Sequence, residues 1–321
     1  MGVFTHISKE NLKTFLEDYS LEEIQSFEGI NEGIQNTNYK IKIDAKDFIL
    51  TIYENINSID DLDFFLSLMN YLSSKGIKCP IPIKNSKSNY VGEIKSKPAA
   101  LLTFLDGKST LNIKKNHTFE IGKVLAEMHL NTKDFPLKKT NDLSVDGWEK
   151  LLIKNKNKID KFEKNLYKKI EDKIINIRKK WPKNLPSGVI HADLFPDNVL
   201  FKDDKVSGLI DFYFSCTDYF IYDLCICINA WCFNYRNEFQ IDLFQYLLKG
   251  YQSIRKLEEE EINAIPLLCH ASSLRFLLTR IDNWKNKNDL DIVNYQDPME
   301  FLKRLEFHEL NENLGNYNLN E

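Results

Sequence analysis

The sequence lacks the long apolar segments that anchor proteins in membranes. No apolar run reaches the ~20 residues that a membrane-spanning helix needs, and the N-terminal segment Met1-Gly-Val-Phe-Thr-His6 has neither the basic region nor the apolar region of a signal peptide. Lysine and arginine (43) do not outnumber aspartate and glutamate (47), so the formal charge of −4 does not favour binding to nucleic-acid phosphates. These absences predict a cytoplasmic protein that binds neither membranes nor nucleic acid.

The C-x-x-C spacing is typical of zinc sites and redox-active pairs, and the six cysteines do not show it. Cys225, Cys227 and Cys232 lie in one apolar stretch, where a free thiol behaves as a small hydrophobic side chain. We therefore expect reduced, buried thiols and a reducing compartment. A hydrophobic fraction of 43% in 321 residues is sufficient for the buried cores of one large domain or two ordinary ones.

The segment His191-Ala-Asp193-Leu-Phe-Pro-Asp-Asn198 carries the strongest functional signal. It follows the apolar pair Val189-Ile190 and precedes Val199-Leu-Phe201, and Asp211 comes thirteen residues after Asn198 at the end of another predicted strand. The H-x-D-x-x-x-x-N spacing and the later Asp match the catalytic loop and the metal-binding Asp of kinases. A chance match would require four fixed positions and the flanking strands to coincide. We therefore interpret the segment as a phosphotransferase site.

Each of these four residues suits one task in phosphoryl transfer. Asp193 is placed to orient a hydroxyl nucleophile and to accept its proton. Mg²⁺ prefers oxygen ligands and is held largely by the ATP phosphates, so the amide oxygen of Asn198 and the carboxylate of Asp211 suffice from the protein. We expect His191 to tie the loop to neighbouring backbone, because the position of the base is already occupied. The predicted cofactors are ATP and Mg²⁺.

The hydrophobic periodicity divides the chain into two differently built parts. Residues 1–106 are predicted to form helices at 8–19 and 60–74 and antiparallel strands at 24–30, 39–43, 48–53, 90–94 and 99–104. Residues 107–321 are predicted to be mainly helical, with segments at 117–130, 146–180, 221–233, 239–252, 259–284 and 298–307. The catalytic loop and its hairpin fall between the second and the third of these segments.

Besides the catalytic loop, seven further segments carry a resemblance to a known family, and together they extend over nearly the whole chain. They are Val3-Phe-Thr5, Phe27-Glu-Gly-Ile-Asn-Glu-Gly33, Asn36-Thr-Asn-Tyr39, Leu50-Thr-Ile-Tyr-Glu54, Asp61-Leu-Asp-Phe-Phe-Leu66, Ile210-Asp-Phe-Tyr213 and Tyr222-Asp-Leu224 with Trp231. With these segments the chain resembles the aminoglycoside and choline kinase-like superfamily of small-molecule kinases, and within it the type II homoserine kinase family. The resemblance implies an α+β, bilobal protein-kinase-like fold, with a nucleotide-covering antiparallel-sheet N-lobe at residues 1–106 and a mainly helical C-lobe at residues 107–321 that carries the acceptor site.

The resemblance also implies a reaction. The acceptor would be L-homoserine, whose side-chain hydroxyl is phosphorylated by MgATP to O-phospho-L-homoserine in threonine biosynthesis. The expected partner is a small molecule, and the chain is expected to act as a monomer or a homodimer. Tyr213 and Trp231 are candidate walls of the acceptor pocket, although core packing is the commoner role of aromatic residues near a helix.

An amino-acid acceptor carries a carboxylate, for which arginine is a good bidentate partner. Arg275 and Arg280 lie in a predicted apolar helix, where an unpaired charge would be costly. Each is therefore a candidate ligand for the substrate carboxylate. The alternative for either is a structural ion pair with Asp223 or Asp282.

The predicted third strand lacks the lysine that many kinases direct at the nucleotide. In the V-A-I-K pattern an apolar residue and the Lys lie two positions apart on one face, and Ile49 and Thr51 hold those positions here. The following helix contains no Glu, so both partners of the usual ion pair are missing. Lys40 or Lys42 on the neighbouring strand are candidates to neutralise the phosphates, with a solvent-facing lysine as the alternative.

The turn between the first two strands is the other predicted nucleotide contact. Its small and polar residues, among them Gly33, Asn36 and Asn38, offer backbone amides that can cover phosphates, although the turn is not a G-x-G-x-x-G loop. Together with Ile49 and Thr51, these three residues form the predicted ATP-binding set.

Three other functions are the alternatives to a homoserine kinase. A protein kinase is excluded by Ala192 in place of Arg, by Tyr213 in place of Gly and by the lack of an A-P-E segment. A kinase of another small alcohol, such as choline, methylthioribose or an aminoglycoside, is an alternative within the enzymes. A catalytically silent nucleotide-binding protein is suggested by Thr51, but disfavoured by the intact catalytic loop.

Overall fold

The computed structural model describes residues 3–19, 21, 24–30, 36–55, 58–284, 297–312 and 317. The chain divides into two compact units. Met1–Lys108, Ser207–Tyr213 and Leu290–Val293 belong to the first, and Ser109–Val206, Phe214–Asp289 and Asn294–Glu321 belong to the second. The segment that carries Asp211 and Tyr213 is thus part of the first unit, whereas the sequence prediction placed it in the C-terminal lobe.

The first unit contains two helices and five strands: α1 (Lys9–Glu17), β1 (Ile24–Gly29), β2 (Thr37–Ile43), β3 (Lys46–Ile52), α2 (Ile59–Ser74), β4 (Val91–Ile94) and β5 (Lys97–Thr103). The strands form one antiparallel sheet in the order β1-β2-β3-β5-β4. Alternate strand residues point to one face, where Ile41, Leu50 and Leu101 join Leu12 and Phe15 of α1 in one apolar cluster. The predicted antiparallel sheet is confirmed.

Both helices of the first unit begin at a serine that caps their free backbone N–H groups. The Oγ of Ser8 accepts a hydrogen bond from the N–H of Asn11 at 3.2 Å, and the Oγ of Ser58 accepts one from the N–H of Asp61 at 3.1 Å. Gly76 follows α2 with φ = +88°, a left-handed conformation that favours glycine after a helix. The predicted start of α1 after Ser8 and the predicted end of α2 before Gly76 are confirmed.

The second unit is mainly helical, as predicted. Its helices are α3 (Lys115–Thr132), α4 (Val145–Lys154), α5 (Lys156–Ile159), α6 (Leu166–Lys180), α7 (Phe220–Trp231), α8 (Ile241–Gln252), α9 (Glu259–Asn283) and α10 (Pro298–Leu310). By length and composition α9 would be able to cross a membrane, but 78% of its apolar window is buried inside the protein, as in the core helix of a globular unit.

One long helix over residues 146–180 is the prediction that the structure corrects. The side chain of Asn155 donates from Nδ2 to the carbonyl of Leu151 at 2.9 Å and ends α4. Asp160 accepts a hydrogen bond from the N–H of Tyr167 at 2.8 Å, and Asn165 has φ = +63° just before α6. The apolar spacing continues across these breaks, so periodicity alone does not reveal the side chains that interrupt the helix.

Short strands deliver the predicted catalytic residues. β6 (Ser187–Ile190) pairs with β9 (Cys216–Tyr219), which the sequence did not predict, and β7 (Val199–Lys202) forms a hairpin with β8 (Lys205–Leu209). β6 ends directly before His191. All six cysteines are free and buried, which confirms the predicted state of the thiols.

Two glycines allow α3 and α8 to approach each other closely. A Cβ added at Gly122 would lie 2.1 Å from the carbonyl oxygen of Leu247, and one added at Gly250 would lie 2.0 Å from the carbonyl oxygen of Phe119. Both obstacles are backbone atoms, which cannot move aside by a change of rotamer. The crossing therefore requires glycine at both positions.

Gly122→Ala is expected to lower the free energy of unfolding by about 1–3 kcal/mol, because the helices must separate to admit a methyl group, and this outweighs the better helix propensity of alanine. Urea denaturation followed by circular dichroism measures the change. Lys123→Ala, at the neighbouring half-exposed position, should stay within about 1 kcal/mol. A Gly122→Ala protein as stable as the parent would contradict the close approach.

Candidate active site

The catalytic loop begins where β6 ends, and a buried carboxylate fixes its first residues. Asp223 of α7 is 0% exposed, and its Oδ2 and Oδ1 accept hydrogen bonds at 2.8 Å from the backbone N–H groups of His191 and Ala192 respectively. Ala192 has φ = +63°, a left-handed conformation that costs a non-glycine residue about 1–2 kcal/mol. The two hydrogen bonds therefore stabilise the backbone turn that precedes Asp193.

Asp223 stays ionised inside the protein because a histidine donates to it. Nε2 of His129 lies 3.0 Å from its Oδ2, and Nδ1 of His129 lies 2.8 Å from the hydroxyl of Tyr251. Burial by itself would raise the pKa of Asp223, but the hydrogen bonds from His129 and from the backbone of His191 hold that pKa below its ordinary value. Burial lowers the pKa of His129, so a neutral ring donates from Nε2 to a carboxylate that can only accept.

The structure brings the predicted base and the predicted amide ligand of the second unit together. Nδ2 of Asn198 donates to the backbone carbonyl of Asp193 at 2.8 Å and to its carboxylate Oδ2 at 3.1 Å. His191 is 0% exposed, and its Nδ1 accepts a hydrogen bond from the N–H of Asp193 at 3.3 Å. The imidazole thus contacts the backbone of the loop, and the amide of Asn198 restrains the carboxylate of Asp193.

Asn198 and Asp211 supply the kind of oxygen atoms that a divalent cation prefers. Because Nδ2 of Asn198 is used within the loop, its amide oxygen is the atom left for a cation. Asp211 follows β8 with φ = +63°, a strained conformation typical of functional turns. Across the described ranges, no group of three His, Cys, Asp or Glu side chains is arranged to hold a metal ion. Each of these two side chains thus offers one oxygen ligand of the kind predicted for a cation that is held mainly by nucleotide phosphates.

Three of the predicted nucleotide residues, Asn38, Ile49 and Thr51, share the sheet face opposite α1. Asn38 and Thr51 are direct partners across β2 and β3, and the hydroxyl of Thr51 donates to Oδ1 of Asn38 at 2.8 Å. Ile49 lies on the same face, two positions before Thr51. Oδ1 of Asn36 accepts a hydrogen bond from the N–H of Glu54 at 3.4 Å. Gly33 lies outside the described residues.

The candidate lysines near the nucleotide face have other contacts. Nζ of Lys40 forms an ion pair with Asp47 at 2.9 Å and lies 4.2 Å from the ring centroid of Phe104, and Lys42 is exposed. A lysine–glutamate pair does exist in this sheet, between Lys97 and Glu54. Strand alternation places it on the face that packs against α1, so it does not replace the missing pair at Thr51.

The two aromatic candidates for the acceptor pocket lie in different units. The hydroxyl of Tyr213, in the first unit, lies 3.0 Å from the hydroxyl of Tyr53. Trp231 is 0% exposed, and its Nε1 donates to the carbonyl of Leu194 in the catalytic loop at 2.7 Å. The burial of Trp231 favours the alternative of core packing, with its indole supporting the loop.

Neither candidate arginine forms the ion pair with Asp223 or Asp282 that was the predicted alternative. Arg275 is 1% exposed and donates from Nη1 to the carbonyl of Ala192 at 2.6 Å, so it stabilises the backbone of the catalytic loop. Arg280 forms an ion pair with Glu300 at 2.7 Å. Burial raises the pKa of Asp197 in the loop, and the charge of Arg280 acts against that rise, which indicates that this guanidinium lies near the loop.

Residues 26–257 match the model of the phosphotransferase enzyme family. The chain belongs to the phosphotransferase enzyme family. It is 43% identical over 319 residues to a homoserine kinase of Agrobacterium fabrum, with 99% of each chain covered, and 44% identical over 308 residues to a homoserine kinase of Parvibaculum lavamentivorans, with 96% of each covered. These relatives confirm the resemblance to homoserine kinases.

The fold is similar to that of an amicoumacin kinase whose structure was solved with AMP-PNP and Ca²⁺. The TM-score is 0.73 at 14% identity, with 95% of this chain and 94% of that chain covered. At this identity the likeness concerns the fold alone. It confirms the predicted combination of an antiparallel-sheet N-lobe with a helical C-lobe.

The supporting residues of this phosphotransferase site escaped the sequence prediction. Asp223 and Tyr53 each contact a predicted site residue or its backbone, and His129 contacts Asp223, yet none of the three was predicted to serve the site. A signal did exist for Asp223, which is the only charged residue in the apolar stretch Phe220-Ile-Tyr-Asp-Leu-Cys-Ile-Cys-Ile-Asn-Ala-Trp231. A lone carboxylate in such a stretch predicts buried hydrogen-bond donors. Histidine and tyrosine occur in cores too often to give a comparable signal.

Asp223→Ala is expected to lower the free energy of unfolding by about 3–5 kcal/mol, because it leaves two backbone N–H groups and the ring of His129 buried without their acceptor. Chemical denaturation measures the loss. Asp242→Ala is the matched control: it removes an exposed carboxylate paired with Lys115 and should cost at most about 1 kcal/mol. Similar losses in both variants would show that Asp223 does not anchor the loop.

Proposed function

We propose that this phosphotransferase transfers the γ-phosphoryl group of ATP, with Mg²⁺, to the side-chain hydroxyl of L-homoserine, as a cytoplasmic enzyme of threonine biosynthesis. The observation that carries the proposal of phosphoryl transfer is the catalytic loop, in which Asn198 restrains Asp193 and the buried carboxylate of Asp223 holds the two backbone N–H groups before Asp193. The identity of 43–44% to homoserine kinases over at least 96% of the chain supports the acceptor.

Asp193 would act directly on the acceptor. Its carboxylate orients the hydroxyl and accepts the proton as the oxygen attacks phosphorus. Nδ2 of Asn198 limits the rotation of this carboxylate, and Asp223 fixes the backbone that leads to it. Catalysis then depends mainly on positioning, because a hydroxyl held in line with the phosphoryl group avoids most of the entropic cost of the encounter.

The remaining predicted residues would bind the nucleotide and the cation. Asn198 and Asp211 would hold Mg²⁺, which in its complex with ATP neutralises charge on the phosphates. Five residues of the first unit would contact the nucleotide. They are Gly33, Asn36, Asn38, Ile49 and Thr51.

The acceptor carboxylate would be bound by an arginine of α9. Of the two candidates, Arg280 is better suited than Arg275, because Arg275 is 1% exposed and its Nη1 is engaged by the carbonyl of Ala192. The ion pair of Arg280 is with Glu300, whose side chain is 43% exposed. Tyr213 and Trp231 would contribute to the pocket by supporting the segments around it.

The acceptor is tested by ADP release from MgATP with homoserine, serine, choline, methylthioribose and an aminoglycoside. Strong turnover with homoserine and weak turnover with the others is the expected outcome, because only an α-amino acid of this length presents both a carboxylate and a distant hydroxyl. Turnover with another alcohol alone would leave the phosphotransferase site in place and assign it a different acceptor. Silence with every acceptor would favour a nucleotide-binding protein without catalysis.

Asp193→Ala is expected to reduce kcat by at least ~10²-fold, because the hydroxyl loses both its orienting group and its proton acceptor. The Kd for ADP with Mg²⁺, measured by calorimetry, should change by less than about threefold. Asp203→Asn, at an exposed position in the β7–β8 turn, serves as control and should keep the parental kcat. An Asp193→Ala enzyme with normal kcat would remove this residue from the mechanism.

A further inference from the structure

Two tyrosines form a hydroxyl pair within the first unit, close to Asp211. Tyr53 directly follows β3 and is 1% exposed, and Tyr213 lies two residues after Asp211 in a 3-10 turn. Their hydroxyl oxygens are 3.0 Å apart, and their rings meet edge to face with centroids 5.3 Å apart at 81°. The hydrogen bond connects the end of the third strand to the segment of the predicted metal ligand.

Tyr213 also contacts the helix that follows the third strand. The ring of Phe65 in α2 meets it edge to face, with centroids 5.7 Å apart at 86°. Tyr213 therefore connects the Asp211 segment to α2 and, through Tyr53, to the end of β3. In kinases with a V-A-I-K strand, a Lys–Glu ion pair joins the corresponding strand and helix.

The backbone at Asp211 needs such a restraint. Its φ of +63° is unfavourable for a residue with a Cβ, by about 1–2 kcal/mol, and such conformations persist where the surroundings fix the chain on both sides. Before Asp211, the N–H of Leu209 donates to the carbonyl of Lys78 at 2.9 Å. After Asp211, the hydrogen bond to Tyr53 holds the side chain of Tyr213. The strained residue is thus restrained on both sides within its own unit.

We propose that Tyr53 and Tyr213 are positioning residues: they form a neutral pair that takes the structural place of the missing Lys–Glu ion pair and orients Asp211 for the cation. The inference rests on the proposed function, since it assumes that Asp211 is a metal ligand. A neutral pair suits the site, because a hydroxyl pair links two elements without placing a further charge beside the carboxylate of Asp211.

The proposal is tested with Tyr53→Phe, Tyr213→Phe and the double variant. Each single variant leaves one hydroxyl without its partner and should lower Tm by about 3 °C or more, whereas the double variant should lose clearly less than the sum. Tyr19→Phe is the matched control, since it removes a buried hydroxyl for which the described part of the first unit offers no hydrogen-bond partner. It should leave Tm nearly unchanged.

The second readout is the affinity for ADP with and without Mg²⁺, measured by calorimetry. Mg²⁺ lowers the Kd for ADP in the parent, and in the double variant the factor of this lowering should be about tenfold smaller. The Kd for metal-free ADP should stay within about twofold of the parental value. Tyr19→Phe should behave as the parent in both conditions. Parental tightening by Mg²⁺ in the double variant, or Tm losses that simply add, would overturn the proposal.

Asp211→Asn separates a failure of this proposal from a failure of the proposed function. If Mg²⁺ tightens ADP binding to Asp211→Asn as it does to the parent, Asp211 is not a metal ligand, and the assumption behind the pair falls with it. If Asp211→Asn abolishes the tightening while the double phenylalanine variant retains it, the metal site stands and only the positioning role is overturned.

Discussion

The hydrogen bonds to the buried carboxylate of Asp223 are the interactions on which the catalytic loop depends. An ionised group without water is tolerated only when hydrogen bonds replace its hydration, and here the donors are the ring of His129 and two backbone N–H groups of the loop. The cost of burying the charge and the cost of the left-handed Ala192 are thus offset by the same hydrogen bonds. Without Asp223 the loop would not keep the left-handed turn at Ala192, and without the N–H groups of the loop the carboxylate of Asp223 would not stay ionised.

In the first unit, a neutral pair of side chains restrains the segment of the strained residue Asp211. Asp211, like Ala192, has a positive φ, but the side chains that restrain its segment are the phenols of Tyr53 and Tyr213, which burial keeps protonated by raising their pKa. The difference follows from charge. Asp223 must attract donors to stay ionised, whereas a positive partner beside Asp211 would compete with a cation for the same carboxylate. Neutral hydroxyls can orient the segment that carries Asp211 without competing for its carboxylate.

The sequence predicts features whose cause is local and misses those whose cause is distant. Strand alternation predicted the sheet, and fixed spacing singled out Asp193 and Asn198, which the structure brings into hydrogen-bond contact, because both patterns lie in nearby residues of the chain. The break at Asn155 depends on a side chain bonding its own helix, which periodicity does not register. The contact of Arg275 is with a backbone carbonyl, which any residue would supply, and the partners of the tyrosine pair are 160 positions apart.

The threonine at position 51 illustrates why a missing catalytic residue need not signal lost activity. A lysine removed by decay would leave an acidic partner behind, unpaired on the following helix. Here that helix contains no Glu, the hydroxyl of Thr51 is bonded to Asn38, and the hydroxyl of Tyr213, two residues after Asp211, is bonded to that of Tyr53. The residues at these positions are compatible with one another in charge and in hydrogen bonding. Such compatibility indicates a site that is organised without the lysine, as opposed to one that has lost it by decay. If Asp211 holds the cation as proposed, the cation would supply the charge that lysine supplies in other kinases, and the orientation of Asp211 would matter more here than in kinases that retain the lysine.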